Sequence, residues 1–511
     1  MTRWRLDPAL LALLALAGAL RLFRIGSQSL WIDEVLSVNV ARGILHSGSG
    51  HAFFNPHGPI FFYALAPFLR LGSGEWLLRL PSAIAGIALV WVMYLLGKEI
   101  DGRRLGLMAG FLTAISPFSV WYSQEVRYVG IFIFLAALST LLAWRFGSRA
   151  GKKDLIGYVA VTLLMLLSFV GGVFLVLGQN LFIVLTRPRW PALRNWLLGQ
   201  VVLGLLFAPW LVHAYGIDLN PSGRGPGGSF SVRDLQTGLS RPTQPVQIGY
   251  ALFTFGAGFS LGPSNRDLHE NLGMEPVWKK KYEVMAASIA LGLTLLAGLR
   301  RFAGPLRKAA LLMIFCLALP VLGPYALSMV SGVVYNVRYA SGAFPAYLLL
   351  LSAGLLGCLQ RLRIGIAVPA AVVAVMGFSL AGNYADPGYF RDDNRGAARI
   401  LREMRRPGEP LVVGAEGRAL RYYYGGDMER WTRLELGPGD SQPGQGVTLD
   451  AGRLWVASTR RWEEEEFMRF LGRMRSCFPV ERDFNLPGFE VLAFRIDGAG
   501  GPNSCALRWK P

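Results

Sequence analysis

The sequence predicts a polytopic α-helical membrane protein of about eleven spans, followed by a soluble α/β domain. Three observations lead to this prediction. Hydrophobic residues make up 52% of the chain and charged residues only 17%, whereas a soluble protein carries about 25% charged residues. The apolar residues are grouped into runs long enough to cross a bilayer. From residue 383 onward the composition becomes polar.

Eleven apolar runs approach the ~20 residues that a helix needs to cross ~30 Å of hydrocarbon. They lie at 8–25, 80–98, 105–123, 128–146, 155–170, 171–186, 196–215, 283–299, 309–330, 341–359 and 364–381. The first run resembles a signal peptide, but Arg21 and Arg24 follow it in place of a small-residue cleavage site. We therefore interpret it as a retained span.

Basic residues occupy every second loop between these runs, and this alternation predicts the orientation of the chain. The basic loops lie at 98–104, 149–153, 187–194, 300–308 and 361–363. The positive-inside rule places these loops and the N-terminus in the cytoplasm. An odd number of spans then places the C-terminus outside. Membrane orientation also explains the net charge of +19, so we expect no nucleic-acid partner. The composition indicates a bacterial inner membrane.

The membrane module is predicted to cover residues 1–382 and to carry two long outer loops, 26–79 and 216–281. Each loop contains an apolar segment too short or too broken to span. In the first loop this segment is interrupted by Pro56, Pro59 and Pro67, which favours a helix at the membrane interface.

Residues 383–511 alternate predicted helices with predicted strands, a pattern typical of a small α/β domain. The strands are "PLVVGA", "GRLWVAST" and "FEVLAFRI". Cys477 and Cys505 lie in this region, where a disulfide is compatible with an outer location. The four cysteines form no Cys-x-x-Cys pair, so they give no metal signature.

Ionisable residues at the mouths of the predicted spans are candidates for function, because a charge at the membrane centre costs roughly 2.5–3.5 kcal/mol. All of them are predicted to lie on the outer side. Each also has a structural explanation, such as a solvated loop carboxylate, an ion pair closing a short loop, or an interfacial cation. Their shared placement favours a site formed by Asp33, Glu34, His57, Glu125, Arg127, Arg338 and Tyr339.

Four stretches carry a resemblance to a known family. They are "SLWIDEVLSV", "HGPIFFYAL", the run from "EWLLRLPSA" to "SPFSVWYSQEVRY", and "YNVRYASGAF". They resemble the GT-C integral-membrane glycosyltransferases of the protein mannosyltransferase and aminoarabinose transferase superfamily, glycosyltransferase family 39-like. The resemblance is most specific over residues 29–146. It implies a GT-C fold and transfer of a sugar from a polyprenyl-phosphate donor to a lipid, glycan or protein on the outer face.

The resemblance also implies roles for individual residues. By position Asp33 is the catalytic base, with Glu34 beside it. The family often has Lys-Pro-Pro or His-Pro-Pro where this chain has "HGP", so His57 is expected near the donor phosphate. Arg338 and Arg127 are further candidates for that phosphate. The candidates for sugar or acceptor contact are Glu125, Tyr122 and Tyr339.

The chemistry of sugar transfer fits these residue types. The phosphate leaves as a stable anion, so the reaction needs a carboxylate to deprotonate the acceptor hydroxyl and cations to bind the phosphate. Arginine suits this because its fork can bind two oxygens. A single base opposite the leaving group predicts inversion. The sequence requires no cofactor or metal, and it leaves a divalent cation open.

Two other classes of protein remain open. A membrane transporter or flippase for a lipid-linked or anionic substrate would also carry ionisable residues along its pathway, although the sequence shows neither an inverted repeat nor paired broken helices. A non-catalytic scaffold would leave the acidic clusters unexplained. The sugar, the acceptor and the oligomeric state are not specified by the sequence.

Overall fold

The structure, a computed structural model, divides into two compact units. The helical unit consists of residues 1–25, 37–262 and 279–385, and the C-terminal unit consists of residues 26–36, 263–278 and 386–511. The residues that the structure describes are 7–47, 53, 55, 58–186, 188–215, 244–264, 278–303, 306–331, 335–360, 365–414, 417–430, 434–438, 452–459, 465–496 and 505–509.

The described parts of the first 385 residues are mainly helical. In chain order these are α1 (Pro8–Leu22), α2 (Ile32–Ser47), α3 (Pro59–Leu71), α4 (Glu75–Ile115), α5 (Pro117–Ser123), α6 (Val129–Arg149), α7 (Lys152–Leu166), α8 (Gly172–Leu185), α9 (Trp190–Ala214), α10 (Val246–Ala257), α11 (Lys281–Phe302), α12 (Arg307–Ser331), a 3₁₀ turn (Val337–Ala343), α13 (Phe344–Leu359) and α14 (Ala367–Ala385).

Seven helical stretches in the described part of the chain are long and apolar enough to cross a membrane. They contain eight of the eleven predicted runs, because α4 contains two. The other three runs correspond to α1, α7 and α8, which have 15, 15 and 14 residues, fewer than the ~20 required. The chain is an integral membrane protein, and a count of eleven spans stays a prediction.

Helix α4 is a hairpin of two arms. Asp101 (φ −143°, ψ 35°) and Gly102 (φ 77°, ψ −176°) interrupt its helical geometry. The arms pack closely, since a Cβ placed on Gly106 would lie 2.6 Å from the carbonyl oxygen of Tyr94. The second arm ends at Ile115, not at 123 as predicted. The chain turns at Ser116, whose Oγ accepts the N–H of Ser119. The last eight residues of the predicted run 105–123 therefore contain a separate short helix, α5.

Ion pairs link the helices near the turn of this hairpin, in a loop predicted to be cytoplasmic. The guanidinium of Arg145 lies 2.6 Å from Glu99, and that of Arg301 lies 2.7 Å from Asp101. These carboxylates therefore connect α4 to α6 and to α11.

The C-terminal unit contains a five-stranded sheet in the order β2-β1-β4-β6-β5. Strand β1 pairs in parallel with β2 and β4, and β6 pairs antiparallel with β4 and β5. The three predicted strands correspond to β1, β4 and β6. The elements are α15 (Asn394–Met404), β1 (Leu411–Val413), α16 (Gly417–Tyr424), β2 (Glu429–Arg430), β3 (Leu434–Pro438), β4 (Arg453–Thr459), α17 (Glu465–Cys477), β5 (Val480–Leu486), β6 (Phe489–Arg495) and β7 (Cys505–Trp509).

Both faces of this sheet are covered. On one face Val456 packs with Phe467 and Phe470 of α17. On the other face Trp455 packs with Leu401 of α15 and with residues of α16. The alternation along β4 sends successive side chains into different cores, so the unit is a three-layer α/β/α arrangement. Cys477, at the end of α17, is disulfide-bonded, whereas Cys316 and Cys358 are free thiols.

Candidate active site

The adjacent carboxylates of Asp33 and Glu34 lie in the first turn of α2 and have different surroundings. Glu34 is fully buried. One of its carboxylate oxygens accepts the N–H of Trp31, at 3.2 Å, and the other lies 3.8 Å from the guanidinium of Arg391. The first of these contacts is the reciprocal half of a helix cap, because Glu34 is the third residue of α2. Asp33 is only partly buried, so it is the more accessible carboxylate of the two.

Residues of the C-terminal unit bind the segment that leads into this turn. The hydroxyl of Ser29 donates to the carbonyl of Asp392 at 2.7 Å and accepts the N–H of Asn394 at 3.1 Å. The N–H of Leu30 donates to the hydroxyl of Tyr423 at 2.6 Å. The boundary of the membrane module at residue 382 stays a prediction. Contacts within the structure group residues 26–36 with the C-terminal unit, and polar groups of this segment bond to residues more than 350 positions later.

The second candidate turn, residues 123–128, belongs to the helical unit and follows α5. Glu125 is 4% exposed and Arg127 is 5% exposed. Burial raises the pKa of the Tyr122 hydroxyl well above its usual value; the negative charge of Glu125 raises that pKa further, and the positive charge of Arg338 opposes the rise. The structure therefore brings Tyr122, Glu125 and Arg338 within electrostatic range of one another.

An aromatic stack joins the two candidate arginines of this unit. The ring of Phe169 stacks on Tyr128 at a centroid distance of 5.1 Å and on Tyr339 at 5.9 Å. The guanidinium of Arg127 lies 5.4 Å from the centroid of Tyr128, and that of Arg338 lies 5.5 Å from the centroid of Tyr339. These distances are within the range of cation–π attraction. Phe169, in the break between α7 and α8, was not identified from the sequence.

Tyr122 itself is 6% exposed and packs among aromatic rings. Its ring lies edge-on to Phe118, at 4.9 Å, and to Phe259, at 5.8 Å. This packing stabilises α5 within the helical unit. A sugar contact for Tyr122 stays a prediction, as does the same role for Glu125 and Tyr339.

Two residues of the "RLPSA" stretch bind backbone carbonyls of the helical unit. The guanidinium of Arg79, which is 1% exposed, donates to the carbonyl of Ile25, which follows α1, at 2.8 Å. The hydroxyl of Ser82 donates to the carbonyl of Arg127 at 3.3 Å. From the sequence this stretch contributes only to the resemblance, and neither side chain is predicted to have a role.

Arg21 and Gln124 cross-link α1 to the start of the second turn. The guanidinium of Arg21, fully buried, donates to the carbonyl of Thr113 at 3.0 Å and to the hydroxyl of Ser119 at 2.9 Å. In the opposite direction, the amide of Gln124 donates to the carbonyls of Arg21, at 2.9 Å, and Phe23, at 2.8 Å. A buried arginine in an apolar run was the signal that could have identified this cross-link.

His57 lies outside the described residues, but its neighbour Gly58 is described. Gly58 has φ of 83°, whereas proline is restricted to about −65°. A Cβ on Gly58 would also lie 2.4 Å from the carbonyl oxygen of Leu167. The chain therefore follows a path here that a proline, such as the one the family often has at this position, cannot adopt.

Within the described residues, no group of three or more His, Cys, Asp or Glu side chains is placed to bind a metal ion.

Comparison with known proteins shows which family this fold and these segments resemble. Residues 56–213 match the family described as dolichyl-phosphate-mannose-protein mannosyltransferase. A curated Bacillus subtilis (strain 168) protein named "Putative mannosyltransferase YkcB" is 32% identical over 84 residues, which are 16% of this chain and 12% of that protein. The chain thus matches about an eighth of the length of that relative.

Two solved structures of ArnT from Cupriavidus metallidurans share the fold. The apo structure has a TM-score of 0.53 at 12% identity, and the structure bound to undecaprenyl phosphate has a TM-score of 0.53 at 13% identity. Both alignments cover 94% of this chain and 97% of the other chain. The chain therefore shares the fold of these two structures. This shared fold and the family match over residues 56–213 agree with the resemblance recognised in the sequence.

Proposed function

We propose that the protein transfers a sugar from a polyprenyl-phosphate donor to an acceptor hydroxyl on the outer face of the membrane, with inversion and with Asp33 as the catalytic base. The observation that carries the proposal is the contrast within the first turn of α2. Glu34 is buried against Arg391 and the helix cap, whereas Asp33 is partly exposed. A base must reach its substrate, and Asp33 meets this condition.

In the proposed reaction the Asp33 carboxylate accepts the proton of the acceptor hydroxyl. The acceptor oxygen bonds to the anomeric carbon as the bond from that carbon to the phosphate oxygen breaks, and polyprenyl phosphate leaves with the electron pair. Arg127, Arg338 and His57 are proposed to bind the phosphate, because charge grows on its oxygens in the transition state. Glu125, Tyr122 and Tyr339 are proposed to contact the sugar or the acceptor.

The comparisons support a lipid-linked donor. One ArnT neighbour is described as bound to undecaprenyl phosphate, and the matched family is described as dolichyl-phosphate-mannose-protein mannosyltransferase. We propose a polyprenyl-phosphate sugar as donor and leave the choice between hexose and pentose to experiment. The disulfide at Cys477 supports an extracytoplasmic C-terminal unit, since disulfides persist in oxidising compartments. The proposed membrane is the bacterial inner membrane, with the N-terminus in the cytoplasm.

The test is transfer of label from a panel of polyprenyl-phosphate hexoses and pentoses to membrane extracts of the host, with purified wild type and with Asp33→Asn. We expect Asp33→Asn to lower turnover by about 10²–10⁴-fold, the contribution of a general base, and to bind donor as wild type does. The matched control is Asp427→Asn, which changes an exposed aspartate of the same unit and should transfer label normally.

Equal transfer by wild type and Asp33→Asn would show that Asp33 is not the base. If wild type transferred no label from any donor, the glycosyltransferase proposal would be wrong. In that case movement of a fluorescent polyprenyl phosphate across vesicles containing the protein would support the flippase alternative.

A further inference from the structure

Within the C-terminal unit, residues 386–511 contact the segment 26–36, which leads into α2 and contains Asp33, at several points. Besides the Ser29 and Leu30 contacts, the N–H of Arg391 donates to the side chain of Gln28 at 3.1 Å, and the guanidinium of Arg395 donates to the carbonyl of Ser27 at 2.7 Å. The backbone leading into α2 is therefore fixed by residues just before and within α15.

Arg391 contacts a charged side chain of α2. Its guanidinium is 8% exposed and faces the fully buried carboxylate of Glu34. A buried cation beside a buried carboxylate strongly resists separation, because either charge alone in that environment is costly. Glu34 also accepts the N–H of Trp31. The carboxylate thus connects Arg391 to the first turn of the helix on which Asp33 lies.

We propose that Arg391 is a positioning residue for the transfer reaction, acting through Glu34 to set the direction of Asp33. This inference rests on the proposed function, and it gives the C-terminal unit a role in catalysis: the unit orients the base. In this proposal Glu34 links Arg391 to the first turn of α2 and does not act as a second base.

Geometry explains why such a contact affects rate more than donor affinity. A shift of about 1 Å in a catalytic group can lower turnover by about 10²-fold. Asp33 is proposed to act on the acceptor hydroxyl, whereas the donor phosphate is assigned to arginines of the helical unit. Loosening the first turn of α2 should therefore lower kcat while the donor KM stays near its wild-type value.

The experiment uses the full-length protein in detergent micelles with Arg391→Gln, Arg391→Lys and the double variant Glu34→Gln/Arg391→Gln. The matched control is Arg475→Gln, which removes the ion pair between Arg475 and Glu490 (2.6 Å) elsewhere in the same unit. Turnover is measured per donor-binding site with the donor panel described above, so that unfolded protein does not contribute. Hydrogen exchange of the amides in residues 29–36 is measured on the same samples.

We expect Arg391→Gln to lower kcat by about 10²-fold at unchanged donor KM and to speed exchange in residues 29–36. Arg391→Lys should restore much of the turnover and much of the protection from hydrogen exchange, since it keeps the positive charge. The double variant should be no slower than Arg391→Gln, because the two residues are coupled and their effects do not add. Arg475→Gln should match wild type in both measurements.

Wild-type kcat per site in Arg391→Gln would overturn the positioning proposal while leaving the proposed function intact. Unchanged exchange in residues 29–36 would overturn it as well, and this result does not depend on activity. If wild type transferred no label, the proposed function would be wrong. Faster exchange in Arg391→Gln would then show a structural contact with no catalytic role, which also contradicts the proposal.

Discussion

The two acidic turns of this protein, at residues 29–34 and 123–128, are built differently. In the first turn the two carboxylates are adjacent in sequence, yet Glu34 is buried and Asp33 is partly exposed. In the second turn the charged residues, Glu125 and Arg127, are both at least 95% buried. The first turn thus separates an accessible acid from a buried one, whereas the second turn keeps both of its charges from solvent.

This difference shows that two residues adjacent in sequence can have different surroundings. Successive residues in the first turn of a helix point about 100° apart, so neighbouring carboxylates need not share a site. The chemistry proposed for Asp33 requires access to the acceptor. The burial of Glu125 and Arg127 suits side chains that present fixed charges in a low-dielectric setting, where electrostatic interactions are stronger.

The largest expected effect comes from removing the buried carboxylate of the first turn. Glu34→Gln leaves the buried guanidinium of Arg391 without that counter-charge, and breaking a buried pair costs roughly 3 kcal/mol. Asp33→Asn, at the accessible neighbour, should change stability by less than ~0.5 kcal/mol. The measurement is the midpoint of thermal unfolding in detergent for both variants. Equal midpoints would remove the distinction between the two carboxylates.

The sequence was sufficient to predict the long apolar helices, because long apolar runs have few structural alternatives. Each of the eleven runs overlaps a helix of the structure, whereas α2, which carries Asp33, was not predicted. The bounds were less predictable. The third predicted run continued through Ser116, because hydropathy alone does not reveal a turn. In the structure the turn is marked by the hydrogen bond from the N–H of Ser119 to Ser116 and by Pro117, the first residue of α5.

The sequence was much less informative about the side chains that shape the site. It identified Asp33 and Glu125 as candidates, since charges near apolar runs stand out. It gave no role to Arg391, Tyr423 or Phe169, because each is brought to its partner by tertiary contacts between segments far apart in the chain. Such contacts leave no local periodicity or spacing to detect.

The second largest effect is expected at Arg21, which positions the segment preceding the second turn. Arg21→Met removes the donors to the carbonyl of Thr113 and to Ser119, and leaving buried acceptors unpaired costs roughly 2 kcal/mol. Arg24→Met is the matched control, because Arg24 is exposed and its guanidinium donates to the carbonyl of Tyr384. The thermal midpoint should fall further for Arg21→Met. A larger fall for Arg24→Met would contradict the role given to the buried arginine.

The smallest effect is expected at Gln124, and it tests how the second turn is attached to α1. Gln124→Met removes the donors to the carbonyls of Arg21 and Phe23, at a cost of about 1 kcal/mol. Gln124→Glu has nearly the same shape but directs a carboxylate at those oxygens, so at neutral pH it should be less stable than Gln124→Met. In acid this difference in stability should disappear, because below the pKa of the new carboxyl group its proton can donate to a carbonyl oxygen again. Thermal midpoints measured at pH 7 and pH 4 decide the matter. A Gln124→Glu variant as stable as wild type at pH 7 would mean that these hydrogen bonds do not determine the position of the turn.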